Sequence, residues 1–248
     1  FRNNKFKFIC HIEKEASACS TLKLRNIYYY LKELGNLELY NKYIKKEINF
    51  QDLIEVIPSY ILEDVLNLEI NEETVLDIFD FIDKRLNGEL LDGIIGGPPC
   101  QAYSTIGRFN NKHKKETDER IYLYEYYVQF LEKYKPKFFV FENVKGLLSF
   151  KDYKDNPLLP LIIDAFDSAG YEVRYEIINA EDYGVCQRRE RLFLVGFRKD
   201  IEVKKNFFEI LKTYQSKAPT IKELFSDLPS LKAGEFKSCL LYTSPSPR

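Results

Sequence analysis

The chain has 248 residues, 37 Lys+Arg against 38 Asp+Glu, a formal net charge of -1 and 45% hydrophobic residues. That length suits one large domain or two small ones, and the composition is that of a folded chain rather than a disordered one. The near-neutral charge lacks the global basic signature of a nucleic-acid binder, so any such contact must come from a local patch.

No apolar run approaches the ~18 residues of a membrane span, and no charged-then-apolar leader opens the chain. These features predict a soluble, cytoplasmic protein with no membrane contact. There is no methionine, and the chain opens at Phe1, which reads as a fragment. The cysteines, Cys10, Cys19, Cys100, Cys186 and Cys239, form no Cys-x-x-Cys pair, and the only histidines are His11 and His113. That pattern suits a reducing compartment and points away from a disulfide framework or a metal site.

In chain order, Phe6, Phe8 and Cys10 alternate with Lys5, Lys7 and Ile9 in a predicted strand that ends near Glu13. Ala16 to Leu34 reads as a helix stopped by Gly35. Residues 53–91 are acidic, Leu/Ile-rich and predicted helical, with Asn87-Gly88 as a turn. Leu91 to Gly97 is a short apolar strand closed by Gly-Gly-Pro-Pro. A helix follows, with Ile121, Tyr124, Val128 and Leu131 at three- to four-residue spacing. Phe138 to Phe141 is the next strand, and Leu158 to Ala169 a helix stopped by Gly170. Tyr171, Val173, Tyr175 and Ile177 alternate as a further strand, and Leu192 to Phe197 forms the last. The Ser/Pro-rich end fits no element. The domain is therefore drawn over 1–236, with 237–248 as a non-native tail.

Strands alternating with helices predict an α/β fold with a mostly parallel sheet. Ligands in such sheets bind outside the carboxyl ends of the strands. Glu13, Pro98-Pro99-Cys100 and Glu142-Asn143 each follow a predicted strand directly, so parallel strands would gather them on one rim. A nucleophile and two acids sharing a crevice make a candidate site.

Gly96-Gly97-Pro98-Pro99-Cys100-Gln101 is the sharpest signal. A lone cysteine in a strand-to-loop turn is ordinarily just buried. Here two prolines fix the backbone before the sulfur, and two glycines permit close approach. The segment resembles the catalytic loop of the cytosine C5-methyltransferases. Phe141-Glu142-Asn143-Val144 is similar to the family's Glu-Asn-Val motif. Gln187-Arg188-Arg189-Glu190-Arg191, after Tyr183-Gly184, is similar to its Gln-x-Arg-x-Arg motif. Asp118-Glu119-Arg120 with Leu123 resembles the helix start after the mobile catalytic loop, and the likeness runs from about Glu13 to Gly234.

The resemblance implies a Rossmann-like sheet of the S-adenosylmethionine-dependent methyltransferase type and a DNA (cytosine-5-)-methyltransferase. Its substrate would be double-stranded DNA with the target cytosine flipped out. Cys100 would add as thiolate to C6, which makes C5 enamine-like. Glu142 would hydrogen-bond N3 and N4 and must be at least partly protonated when it meets that edge. Arg189 and Arg191, two apart on a predicted strand, would share a face. One would hold the cytosine O2 while the other orients Glu142 or a backbone group. S-adenosylmethionine would be the donor, with Glu13 on its ribose, Asp52 on its adenine amino group, and Pro98 and Leu123 as pocket walls; no metal is implied. Asn143 would brace the loop. Between them, Ala102 to Thr117 read as a mobile loop in which Arg108, Lys112, Lys114 and Lys115 meet phosphates.

The first glycine is Gly35, so the family's glycine-rich first motif is missing. The target-recognition region and the C-terminal motifs are missing too. The fragment is accordingly expected to be inactive, to bind the cofactor poorly and to read no DNA sequence. Cys186 stands where the family usually has proline. The whole protein is expected to be a monomer in a prokaryotic restriction-modification or orphan methylation system, the former with a cognate restriction endonuclease. A tRNA cytosine-5 methyltransferase of the same family is one alternative, although no Cys-Phe-Thr signature lies between Val144 and Glu181. A non-catalytic, nucleic-acid-binding relative is the other, against which Cys100, Glu142 and Arg191 stand intact.

Overall fold

The computed structural model describes residues 6–99 and 119–228. Cys100, the basic segment 102–117 and the tail from 237 lie outside these described residues. The chain divides into two compact units, one reaching Gly88 and a second over Glu89–Asp227. Among the described residues, no helix is long and apolar enough to cross a membrane.

In the first unit β1 (His11–Glu13) pairs in parallel with β2 (Val65–Asn67), His11 opposite Val65 and Glu13 opposite Asn67. The predicted first strand thus shrinks to its last three residues. Between these strands lie α1 (Ala16–Glu33), α2 (Glu38–Ile44) and α3 (Phe50–Glu55). Helix α1 ends as predicted, with Gly35 in the left-handed region at φ 69°. Ile27, Leu31, Leu53 and Ile57 form the apolar centre beneath these helices. Strand β2 lies inside the stretch read as helical, because three residues are too few to show an alternation. Helix α4 (Val75–Leu86) buries Val75, Ile78, Ile82 and Leu86 along one stripe. It ends at Asn87, which is left-handed and opens the predicted turn.

The second unit is built on a four-stranded sheet in the order β3 (Gly93–Gly96), β4 (Phe138–Val144), β6 (Glu190–Arg198), β5 (Tyr171–Asn179). Strands β3 and β4 are parallel, and β6 runs antiparallel to both β4 and β5. Three strands therefore point the same way and β6 alone is reversed, so the sheet is mixed, with one parallel and two antiparallel pairings. The reversal follows from chain length. The link from Asn179 to Glu190 is too short for the crossover of about a dozen or more residues that a parallel neighbour needs.

Helices α5 (Tyr124–Tyr134) and α6 (Leu158–Ser168) cover one face of this sheet. Burial alternates strictly along β4. Phe139 and Phe141 face the core, and Phe166 of α6 meets them at ring-centroid distances of 4.6 and 5.4 Å. Glu142 falls on the opposite face by the same alternation. Beneath the sheet the buried Tyr171 hydroxyl donates to the Pro136 carbonyl at 2.9 Å.

Truncation of Phe139, which is fully buried, should lower the unfolding free energy by about 3–5 kcal/mol in chemical denaturation. Tyr171 gives a pH signature. Burial pushes its phenol up to about 12, against the partial opposing effect of Arg198. A group raised in the folded state contributes stability that is intact below its unfolded value near 10 and is lost as pH climbs toward 12. Tyr171→Phe should therefore weaken the folded state at neutral pH and flatten the loss of stability between those two values, measured as denaturation midpoints across alkaline buffers.

Candidate active site

The site begins where β3 leaves the sheet. The Tyr127 hydroxyl on α5 lies 3.1 Å from the Ile94 carbonyl and 3.0 Å from that of Val140, one donor shared across the two parallel strands. Its burial holds the phenol well above its ordinary range, so the donor proton is kept. Gly96 is opposite Phe141 in the last registered pair, and Gly97 then runs beside Glu142. A Cβ on Gly97 would sit 2.7 Å from the Glu142 carbonyl oxygen and 2.9 Å from its Oε2. Only a residue without a side chain lets the Pro98-Pro99 segment depart along that carboxylate. Cys100 follows Pro99 in sequence.

Glu142 lies within β4, not beyond its end as the sequence pattern predicts; the strand continues to Val144. Across the ladder Glu142 is opposite Phe193 and Val144 is opposite Arg191. Glu142 and Arg191 are therefore diagonal neighbours on one face, within reach of long side chains. Arg191 Nε meets Glu142 Oε1 at 2.9 Å, and its Nη1 donates to the Glu190 carbonyl at 2.8 Å. With Glu142 39% exposed, the pair adds little to stability. What it does is fix the carboxylate, one oxygen held by the guanidinium and the other turned along Gly97.

Arg189 does not share a strand with Arg191, since β6 starts at Glu190. Its backbone is nonetheless braced: the N–H donates to Asn179 Oδ1 at 3.0 Å, and the carbonyl accepts from the Ala180 N–H at 3.0 Å. Its side chain is exposed. Asn143, on the core side of β4, is only 1% exposed. Its Oδ1 accepts from the Val144 N–H at 2.8 Å, while its Nδ2 finds no partner among the described residues. A buried donor left so costs about 1–3 kcal/mol.

Beyond the end of β4, residues 144–146 and 187–191 line an open cleft of about 400 Å³. Lys145 and Glu190 face each other there at 3.0 Å, whereas Arg188 and Arg189 form no ion pair among the described residues. The motif signal covers Arg189 and Arg191. Arg188 stands beside Arg189 at a variable position of the motif, whereas nothing in the sequence singles out Lys145, which joins them only through the fold.

The other expected cofactor residues divide between the units. Pro98 follows β3, and Leu123 is the half-buried residue capping α5, both in the second unit. Glu13 ends β1 in the first unit; its Oε1 accepts from the Glu15 N–H at 2.9 Å, and its Oε2 has no partner among the described residues. Asp52, also in the first unit, closes a reciprocal cap on α3, its Oδ2 accepting from the Asn49 N–H at 3.0 Å. That leaves a single oxygen for any ligand.

Gly97→Ala should cost about 1–3 kcal/mol in denaturant unfolding, because the obstacle is partly the backbone of β4, which cannot rotate away. The same exchange at Gly35, where no atom lies within 4 Å of the added carbon, isolates backbone strain from this collision.

The geometry can be set beside known proteins. Residues 59–246 match the family model described as C-5 cytosine-specific DNA methylase. Type II methyltransferase M.Bpa9945I of Bacillus paralicheniformis is 36% identical over 261 residues, covering 94% of this chain and 58% of that protein. Type II methyltransferase M.DdeI of Desulfomicrobium norvegicum is 38% identical over 154 residues, 62% of this chain and 36% of its own length. The chain thus spans less than two thirds of the length of each of these curated relatives. The crystal structure of the S. pombe Dnmt2 methyltransferase superposes with a TM-score of 0.51 over 89% of this chain and 52% of its own, at 12% identity, which shows a shared fold. The family match covers more than half of the chain, which therefore belongs to the C-5 cytosine-specific DNA methylase family.

Proposed function

We propose that the protein methylates C5 of cytosine in double-stranded DNA, with S-adenosylmethionine as donor, in a prokaryotic restriction-modification or orphan methylation system. The observation that carries this reading is the Glu142 carboxylate, clamped by Arg191 and lying along Gly97, the residue before Pro98-Pro99, which Cys100 follows in sequence. The names of the two relatives, both Type II methyltransferases, favour a system that includes a cognate restriction endonuclease. The enzyme is proposed to act as a monomer.

Cytosine C5 is a poor nucleophile, and the base inside a duplex is closed to attack from either face of the ring, so the target is extruded. The Cys100 thiolate adds to C6 and moves electron density toward C5 and N3; once C5 carries the methyl group, loss of the C5 proton to solvent breaks the C6–S bond and releases the thiolate. Glu142, protonated as it meets the base, holds its proton at N3 and accepts from the N4 amino group, so its contact strengthens as the ring gains charge. Arg191 keeps that carboxyl group aimed through Nε, and its Nη2, unengaged among the described residues, is left for the cytosine O2. Arg189 holds a backbone group beside the base. Asn143 braces the segment that carries Cys100.

The donor supplies a methyl group on a sulfonium sulfur, open to attack by carbon. The donor set fits it in part: a strand-end carboxylate with a free oxygen, as at Glu13, accepts from the ribose hydroxyls. Asp52 has only Oδ1 to offer the adenine amino group, and Pro98 and Leu123 contribute apolar wall.

The test uses duplex DNA carrying 5-fluorocytosine and the polypeptide at the length of its curated relatives. The native protein should form a covalent adduct with DNA and Cys100→Ser none, because a hydroxyl is too weak an acid to supply the attacking anion. Equal adduct from the Ser variant removes Cys100 as the nucleophile. Glu142→Gln should lower kcat far more than it weakens DNA binding. Adduct formed only on tRNA replaces the DNA substrate with the RNA one.

A further inference from the structure

Strand β5 is the outer strand of the second unit's sheet, with β6 on one side and, among the described residues, no strand on the other. It is nine residues long and pairs with β6 without interruption, from Tyr171–Arg198 to Asn179–Glu190. A long open edge is a template for another strand, and folds usually blunt it with proline, lysine, a bulge or a very short strand. Strand β5 has none of these devices: it holds no Pro or Lys, and its register carries no bulge. Its outward N–H and C=O groups find no backbone partner among the described residues.

The side chains along this edge divide by face. Of the odd positions, Val173 packs against the core, whereas Tyr175 and Ile177 are 46% and 38% exposed. The even positions carry Glu172, Arg174 and Glu176. Arg174 Nη2 meets Glu172 Oε1 at 2.9 Å along the strand, and its Nη1 is unengaged among the described residues. Glu176 is met at 3.1 Å by Lys212 Nζ, from the end of α7 (Phe207–Lys212). Acid, base and acid therefore alternate beside the open edge.

We propose that β5 is an interface between two copies of this chain, paired antiparallel about a two-fold axis through Tyr175. Such an axis stands normal to the sheet and keeps each face on its own side. Tyr171 then lies opposite the partner's Asn179, so the whole strand is paired. Arg174 faces the partner's Glu176 and Val173 faces the partner's Ile177, each contact occurring twice. The two Tyr175 rings meet on the axis, where cross-strand aromatic pairs are favourable. Charge selects this register. An axis on Arg174 would set that residue against its own copy and Glu172 against the partner's Glu176, and an axis on Glu176 would set two carboxylates together. Like charges directly opposite are destabilising. Axes on Val173 or Ile177 leave much of the strand unpaired. A two-fold interface must be self-complementary, and the sequence of β5 is so about Tyr175 alone.

The open edge lies beyond β6 from β4, so each paired chain keeps its own Glu142–Arg191 clamp and the catalytic unit remains one chain. Pairing at this edge needs no DNA and holds whatever the chain methylates.

The experiment is sedimentation of the 248-residue chain across a range of concentrations. One strand pair buries less than the ~1,600 Å² of a standard interface, so a reversible dimer is expected. Arg174→Glu and Glu176→Arg should each raise its dissociation constant about tenfold, because every reversal acts twice per dimer. An equal mixture of the two variants should dimerise as the native chain does, since each then offers the other opposite charges at both positions. Misfolding of either variant cannot produce that rescue. A native chain that stays monomeric at every concentration overturns the proposal, as do single variants that associate like the native chain or a mixture that fails to recover. Loss of the dimer in the polypeptide at the length of its curated relatives assigns the edge to a strand of the same chain, and overturns it too.

Discussion

The pairing register of β4 with β6 is the constraint from which the site follows. Phe139 and Phe141 on one strand and Leu192 and Leu194 on the other are fully buried in the same core. Strand side chains alternate, so committing these four residues inward sends Glu142, Phe193 and Arg191 to the other face. A slip of one residue would turn Glu142 into the aromatic core and Asn143 outward, at a cost no ion pair could offset. Glu142 and Arg191 are thus positioned by hydrophobic packing on the far side of the sheet. The Glu142–Arg191 contact is a consequence of the register and not its cause.

The same logic explains why the glycine before the two prolines matters more than its lack of a side chain suggests. Parallel pairing brings Gly97 alongside Glu142, and Tyr127 holds the two strands together from the core side. The Pro98-Pro99 segment therefore follows one strand and Glu142 lies on its neighbour in the same sheet, so strand pairing and not a loop sets their spacing. Glu142 has one oxygen fixed by a guanidinium and the other against Gly97. Its two oxygens are made inequivalent, one by the Arg191 side chain and the other by the Gly97 backbone.

Much of this was legible in the chain, and what was not has physical causes. The helix at Ala16, the turn at Asn87-Gly88 and strands β3 to β6 announce themselves through apolar spacing and breakers that agree with the fold. Strand β2 is invisible because three residues carry no period, and the first strand is overread because residues 6–10 alternate without finding a partner. The end of β4 is misplaced because its exposed face carries a charge where a core strand would be apolar. Motif resemblance supplies Glu142, Arg189 and Arg191 but not their division of labour: which arginine reaches Glu142 depends on a cross-strand diagonal. For Asp52 the resemblance names a ligand contact, whereas the local sequence Asn49–Asp52 also encodes a helix cap, and the structure shows that cap formed.

Charge shows the limit of composition most clearly. A net charge of -1 says nothing of where cations stand. Lys145 and Glu190 are 45 positions apart in sequence, and only the antiparallel pairing of β4 with β6 brings them together. Lys145, Arg188, Arg189 and Arg191 gather around one rim of the second unit's sheet, with Glu190 as the acid beside them. The chain total hides this local excess, because opposite charges elsewhere cancel it. Strand register therefore makes the position of a charge, rather than the total, the quantity that counts.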